Sequence, residues 1–227
     1  KFTQQIIDAR ALPKGLRDIL ILLPANSQPM DILRTTVSVL GCIEPEKADF
    51  SNQDEIMTRL LGVLPSALIF WYNHHHRGEE LITESMESSM AGYFLKKLIG
   101  KSPCDEHRAA LNTSLILYAE HEFNASTFAT RVTCSTLSDI YSCITSGIGV
   151  LRGPLHGGAN EAAMALISSY KSSDEASIGL RQKLLDKEKI MGFGHRVYKE
   201  CDPRNKVIKE ISRRLAPEDD LLFKISQ

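Results

Sequence analysis

Apolar residues recur at three- and four-residue steps along nearly the whole 227-residue chain, and the strict alternation of a half-buried strand is almost absent. A period near 3.6 gathers side chains on one face of a helix, whereas a sheet needs a period of two. The pattern therefore restricts the chain to an all-α fold. Leu16 to Leu23 carries apolar residues at helical spacing and ends at Pro24. Residues 29–41 open with Pro29 in a first-turn position and close on Gly41. Residues 54–72 and 88–100 read as further helices, the second ending on Gly100. Residues 106–122 are amphipathic through Ala109, Leu111, Leu115 and Ala119 and deliver His121 at their end. Another helix covers 158–170. In the last clear one Asp202 is the N-cap, Pro203 the first helical residue, and Val207, Ile208, Ile211 and Leu215 the buried face. A short piece around Ile190 to Tyr198 is the one strand-like exception.

The length suits one or two domains. A break is expected near Arg152-Gly153-Pro154, where long helical sections give way to shorter, glycine-rich pieces, dividing the chain into 1–153 and 154–227. Apolar residues at 43% and charged residues at 24% are ordinary for a soluble globular protein. A net charge of −1 gives no reason to expect nucleic acid as a partner. The longest apolar stretch, Leu60 to Tyr72, is broken by Pro65 and Ser66 and is too short to cross a bilayer. The cysteines, Cys42, Cys104, Cys134, Cys143 and Cys201, are odd in number and lack CxxC spacing, so free thiols in a reducing, cytoplasmic setting are expected. The chain lacks an initiator Met, starts as if mid-helix and stops on an uncapped apolar pattern, which reads as part of a longer subunit.

Two features admit a bland reading beside a sharper one. Ser138, Ser142 and Ser146 recur every four residues, with Gly147 and Gly149 close behind. Small residues on one stripe let another backbone approach, either within the subunit or from a twin helix in a dimer. His74, His75 and His76 suggest metal, but consecutive residues do not point one way on a helix or strand, so a solvated loop without metal is expected.

Three other histidines sit in polar, glycine-rich contexts: His121 in "AEHEFNAST", His156 in "GPLHGGANE" and His195 in "GFGHRVYKECDPR". Gly153, Gly157 and Gly158 remove side-chain bulk around His156, so a ligand can approach the backbone. A helix begins two or three residues later, and its partial positive charge disfavours imidazolium. A neutral imidazole there can donate to a carbonyl oxygen on which negative charge develops. The plainer alternative is a loop histidine capping a helix. Gly192 and Gly194 flank Phe193 and could let the backbone lie against a flat ring. Arg204, in the first turn of its helix, opposes the macrodipole; a guanidinium fork beside unpaired N–H groups suits a carboxylate. His121, Glu122 and Asn124 share a turn in which a histidine and an amide could bind a keto-acid carboxylate; a plain polar helix terminus reads equally well.

These three ordered motifs resemble the signatures of the citrate synthase superfamily along almost the full chain. Residues 29–41 and 117–132 look most like the branch that condenses propionyl-CoA with oxaloacetate. The resemblance implies a large helical domain (residues 1–153), a smaller mobile helical domain (154–227), a homodimer and a site in the cleft between the domains. It implies that His156 hydrogen-bonds the thioester carbonyl, and that His195 polarises and protonates the ketone. It implies that His121, Asn124, His195 and Arg204 hold oxaloacetate, and that Met191, Gly192, Phe193 and Gly194 border coenzyme A. Acyl-CoA and oxaloacetate are implied as substrates, with no tightly bound cofactor, no metal and no membrane partner. The family's catalytic aspartate lies downstream of the "DPR" helix, and no residue of this chain takes that role. Gln28 stands where relatives often have histidine. The rival activity is citrate synthesis from acetyl-CoA; a rival of another class is a non-catalytic module that binds dicarboxylate or acyl-CoA.

Overall fold

The computed structural model describes all residues except Glu80, His195, Arg196, Val197 and Lys199. The described residues form helices and connecting turns, with no strand among them, so the all-α expectation holds and Ile190 to Gly194 of the strand-like piece are turn and loop. The chain divides into two compact units, Lys1–Arg152 and Gly153–Gln227.

The first unit contains α1 (Phe2–Asp8), α2 (Lys14–Leu22), α3 (Pro29–Ile43), α4 (Gln53–Arg77), α5 (Met90–Ile99), α6 (Asp105–Tyr118), α7 (Ala125–Cys134) and α8 (Ile140–Leu151). Its core is built from α2, α3, α4 and α8: Leu16, Leu20, Ile32, Val37, Leu40, Leu60, Val63, Ala67, Phe70 and Tyr141 interlock there. Burying each large apolar side chain contributes about 1.5–3 kcal/mol. The spacing of Leu16 with Leu20, and of Ile32 with Thr36, Val37 and Leu40, is the helical spacing visible in the sequence.

Pro65 lies inside α4 without ending it. It removes one rung of the ladder, while Ser66 Oγ bonds back to Gly62 O at 2.9 Å. α4 consequently runs on through His74–Arg77 to a left-handed Gly78, and the three histidines form its last turn, not the expected loop. His74 stacks on Phe70 at 6.4 Å, His75 Nε2 meets Leu20 O at 3.2 Å, and His76 lies 4.9 Å from Tyr72. Successive side chains diverge by about 100° on a helix, and the rings pack on Phe70, Trp71 and Tyr72 one turn back.

Arg10 is buried to 1% exposure and organises the non-helical segment before α5. Its Nη1 donates to Ser85 O at 2.8 Å and to Glu87 O at 2.6 Å, and its guanidinium lies 4.1 Å over the Tyr93 ring. Tyr93 donates to Thr83 O at 2.8 Å and shares a 2.7 Å hydrogen bond with Ser66. One cation thus ties two carbonyls of this stretch to the core, and those bonds with the aromatic face are how a charge survives burial.

α7 and α8 pack as a tight antiparallel pair: a Cβ on Gly147 would lie 2.6 Å from Thr130 Oγ1, and Thr133 Oγ1 donates to Ser146 Oγ at 2.9 Å. Ser146 and Gly147 of the small-residue stripe therefore serve packing within the chain, whereas Gly149 faces open space. α6 and α7 bury no residue, and Leu115, Ile116, Phe123, Phe128 and Val132 stay exposed. The amphipathic face of α6 is thus uncovered within this length of chain.

The second unit contains α9 (Ala159–Ser168), α10 (Ser173–Leu185), α11 (Pro203–Leu215) and α12 (Leu221–Ile225). Among its described residues Ala176 is the one buried apolar side chain. α11 begins as the sequence predicts, with Asp202 as N-cap and Pro203 first. Its expected buried face is not closed: Ile208, Ile211 and Leu215 are half-covered and Val207 is 41% exposed. α10 carries a side-chain cap from Ser172 to Glu175 N and little amphipathic pattern, so the sequence analysis missed it.

Candidate active site

In the first unit α6 ends at Tyr118, and the turn that follows sets His121 and Asn124 just before α7. His121 is therefore in a turn beyond the helix, not at its end, and it is half-buried. Glu122 takes a left-handed φ of 49°, which reverses the chain between the two. Asn124 Oδ1 accepts from Thr127 N at 3.1 Å as the N-cap of α7, and its Nδ2 reaches His121 O at 3.4 Å. The amide is thus engaged on both sides in shaping the turn. Phe123 packs edge-on against Phe128 at 6.0 Å, and Arg131 lies 5.2 Å over the Phe123 ring. At the same open end of the α7–α8 hairpin, Arg152 follows α8 and pairs with Asp31 of the "PMD" motif at 2.9 Å. Asp31 also pairs with Arg34 at 3.0 Å. The sequence analysis missed this tie because its partners lie 121 positions apart.

In the second unit Gly153 to Gly158 wrap into successive turns: His156 N and Gly158 N both donate to Gly153 O, at 2.9 and 3.1 Å. His156 O in turn accepts from Ala159 N at 3.0 Å. His156 is half-buried and stands three residues before α9, whose N-cap is Gly158 with no side-chain cap. The backbone N–H groups of the first turn therefore carry partial positive charge beside the imidazole.

Arg204 lies in the first turn of α11, as expected, and its guanidinium is already held by an anion of this chain. Nη2 meets Asp202 Oδ2 at 2.7 Å and Nε meets Oδ1 at 3.0 Å, while Arg204 N donates to the same Oδ1 at 2.9 Å. Tyr198 lies beneath it, its ring 5.9 Å from the guanidinium carbon. The acid two residues before the arginine was the available signal, because an N-cap carboxylate reaches back over its own first turn. Met191 is half-covered and Gly192, Phe193 and Gly194 are exposed, with left-handed φ of 93° at Gly192 and 78° at Gly194. Those two angles explain the glycines: L side chains are strained there. Phe193 is 74% exposed, which leaves its ring available to an aromatic ligand. His195 lies outside the described residues.

No group of three or more histidine, cysteine, aspartate or glutamate side chains able to hold a metal occurs among the described residues. No helix among them is long and apolar enough to cross a membrane.

The profile of the citrate synthase C-terminal domain family matches residues 1–227. The 2-methylcitrate synthase of Shewanella oneidensis is 51% identical over 219 residues, covering 96% of this chain and 58% of that protein. A citrate synthase of Deinococcus radiodurans is 40% identical over 95% of this chain and 58% of its own length. Citrate synthase 2 of Bacillus subtilis is 46% identical over 84% of this chain and 51% of its own length. The chain thus spans somewhat more than half the length of these relatives. In three dimensions it superposes on the citrate synthase of Thermoplasma acidophilum in ternary complex with carboxymethyl coenzyme A and oxaloacetate, with a TM-score of 0.89 at 31% identity, covering 99% of this chain and 60% of that one. The citrate synthase of Thermotoga maritima gives a TM-score of 0.84 at 34% identity, covering 99% and 59%. A match over the whole chain, relatives at 40–51% identity and the same helical architecture agree: the chain belongs to the citrate synthase family.

Proposed function

We propose that the full-length subunit condenses propionyl-CoA with oxaloacetate and water, giving 2-methylcitrate and free coenzyme A. The observation that carries this reading is the 51% identity to a 2-methylcitrate synthase over 96% of the chain, against 40% to the Deinococcus citrate synthase. A base not assigned to any residue of this chain removes a proton beside the thioester carbonyl. His156 donates to that carbonyl oxygen as the enol forms, supported by the glycine turns that hold it ahead of α9. The enol carbon attacks the ketone carbon of oxaloacetate, and His195 delivers the proton to the ketone oxygen. Water then cleaves the thioester. Arg204 and His121 hold the oxaloacetate carboxylates, with Asn124 shaping the turn that carries His121. The exposed Phe193 and its two left-handed glycines fit the adenine of coenzyme A.

Residues 1–153 and 154–227 are, in this reading, portions of the large and small domains. Closure of the small domain excludes water until the carbon–carbon bond has formed. The uncovered apolar side chains of α6 and α7 support a homodimer. The free thiols are in keeping with a cytoplasmic enzyme, and no tightly bound cofactor is assigned.

Citrate synthesis from acetyl-CoA is the second reading, favoured by the 46% identity to citrate synthase 2 of Bacillus subtilis. One methylene in an apolar pocket discriminates by only about 1–3 kcal/mol, so one site can process both thioesters. Coenzyme A release by the full-length subunit with oxaloacetate and each acyl-CoA decides. A higher kcat/KM for propionyl-CoA is expected. A clear preference for acetyl-CoA selects the second reading, and binding without turnover selects a non-catalytic module.

A further inference from the structure

The α7–α8 hairpin brings two cysteines together at its closed end. α7 ends at Cys134 and α8 begins at Ile140, and the turn between them is tight, with Leu137 at a left-handed φ of 58°. The helices touch where Thr130 faces Gly147, at 2.6 Å from a Cβ built there, and again where Thr133 bonds Ser146 at 2.9 Å. In an antiparallel pair a step toward the turn on one helix is matched by a step toward it on the other. One helical turn onward from Thr130 and one turn back from Gly147 are Cys134 and Cys143. The two thiols are close enough for Cys134 to help push the Cys143 thiol up, and Cys143 Sγ reaches Ser138 O at 3.7 Å. Cys134 is exposed and Cys143 is buried, so an oxidant in solution meets Cys134 first.

We propose that Cys134 and Cys143 form a redox-responsive pair which hydrogen peroxide converts to an intrachain disulfide across the closed end of the hairpin. The Cys134 thiolate attacks one peroxide oxygen, the O–O bond breaks, and hydroxide leaves and is protonated to water. Cys134 is left as the sulfenic acid. The Cys143 sulfur then attacks the Cys134 sulfur, the S–O bond breaks, and a second water departs as the S–S bond forms. Two thiols are oxidised and one peroxide is reduced to two waters. Burial, with Cys134 beside it, pushes the Cys143 thiol up, so closure quickens as pH rises. The bond lies about 15 Å along α7 from Asn124, at 1.5 Å per residue. It therefore stiffens the hairpin without occupying the turn that carries His121.

The test uses the full-length protein, treated with hydrogen peroxide under native conditions, alkylated without reductant and digested with trypsin. Cleavage after Arg131 and Arg152 yields the peptide Val132–Arg152, which holds Cys134, Cys143 and no other cysteine. The expected product is this peptide unalkylated and lighter by two hydrogens, restored to two alkylatable thiols by dithiothreitol and never seen in C134S. Backbone amides of 135–142 should exchange more slowly in the oxidised protein. The proposal is overturned if the peptide keeps two alkylatable thiols while other cysteines oxidise. It is equally overturned if Cys134 proceeds to sulfinic acid, or if either sulfur bonds a second chain.

Discussion

Asp202 grips the side chain of Arg204 with both carboxylate oxygens, at 2.7 and 3.0 Å, while accepting the Arg204 amide at 2.9 Å. The N-cap of α11 and the guanidinium proposed to bind substrate therefore share one anion. A dicarboxylate arriving at Arg204 meets a fork already oriented by a rigid helix start, which lowers the ordering cost of binding it.

Replacing Arg204 should consequently act on keto-acid binding. In the full-length enzyme R204A is expected to raise KM for oxaloacetate about tenfold to a hundredfold, the range of a charge-assisted hydrogen bond. R204K should recover little, since an ammonium cannot reproduce the two-pronged contact. Steady-state kinetics against oxaloacetate measure both. An unchanged KM in R204A removes Arg204 from the site.

His156 is proposed to act on the developing enolate, not on ground-state binding. H156A should lower kcat by about 10²–10³, the usual cost of one oxyanion donor. Oxaloacetate affinity, measured by calorimetry, should stay near that of the unmodified enzyme. Near-normal turnover in H156A contradicts the assigned role.

Tyr141 links stability to alkaline pH. Burial, reinforced by Glu44, pushes its phenol up to about 12, against about 10 in an unfolded chain. The folded-state preference for the protonated phenol is fully present below pH 10 and is lost as pH rises through 12. Tyr141 also donates to Glu44 O at 2.7 Å. Y141F should be less stable by about 1 kcal/mol at neutral pH. That gap should shrink between pH 10 and 12 as the unmodified protein loses its share. Denaturant titrations of both proteins across this range check it; a constant gap refutes the assignment.

At Gly62 α4 lies against the end of α1 and its C-cap Ala9. A Cβ there would lie 2.7 Å from Ala9 Cβ and 2.8 Å from Ile6 O, and the contacts are partly backbone. Alanine gains about 1 kcal/mol of helix propensity over glycine, but forcing the helices apart costs about 1–3 kcal/mol. G62A should therefore unfold at lower denaturant concentration. A stabilised G62A would mean that α1 moves freely.

The helical period made α2, α3 and α11 readable, because caps and apolar spacing are local properties. α10 escaped because its sequence has little amphipathic contrast, and the histidine run fell outside the expected helix 54–72 because the apolar pattern stops at Tyr72 and three consecutive polar residues share no face. In the structure α4 continues because core contacts of Phe70 and Trp71 and the left-handed Gly78 define its real terminus.

Residue types and order along the chain determined by themselves the fold class, the family motifs and which side chains have suitable chemistry. Tertiary structure alone decided which partners those side chains have. It set Asp31 against Arg152 across 121 positions, put Arg10 under Ser85 and Glu87, and placed Cys134 beside Cys143. A helical pattern states which face is apolar, but not which distant helix covers it. That choice depends on the close approach of whole backbones, fixed here by glycines such as Gly62 and Gly147 whose neighbours no local rule names.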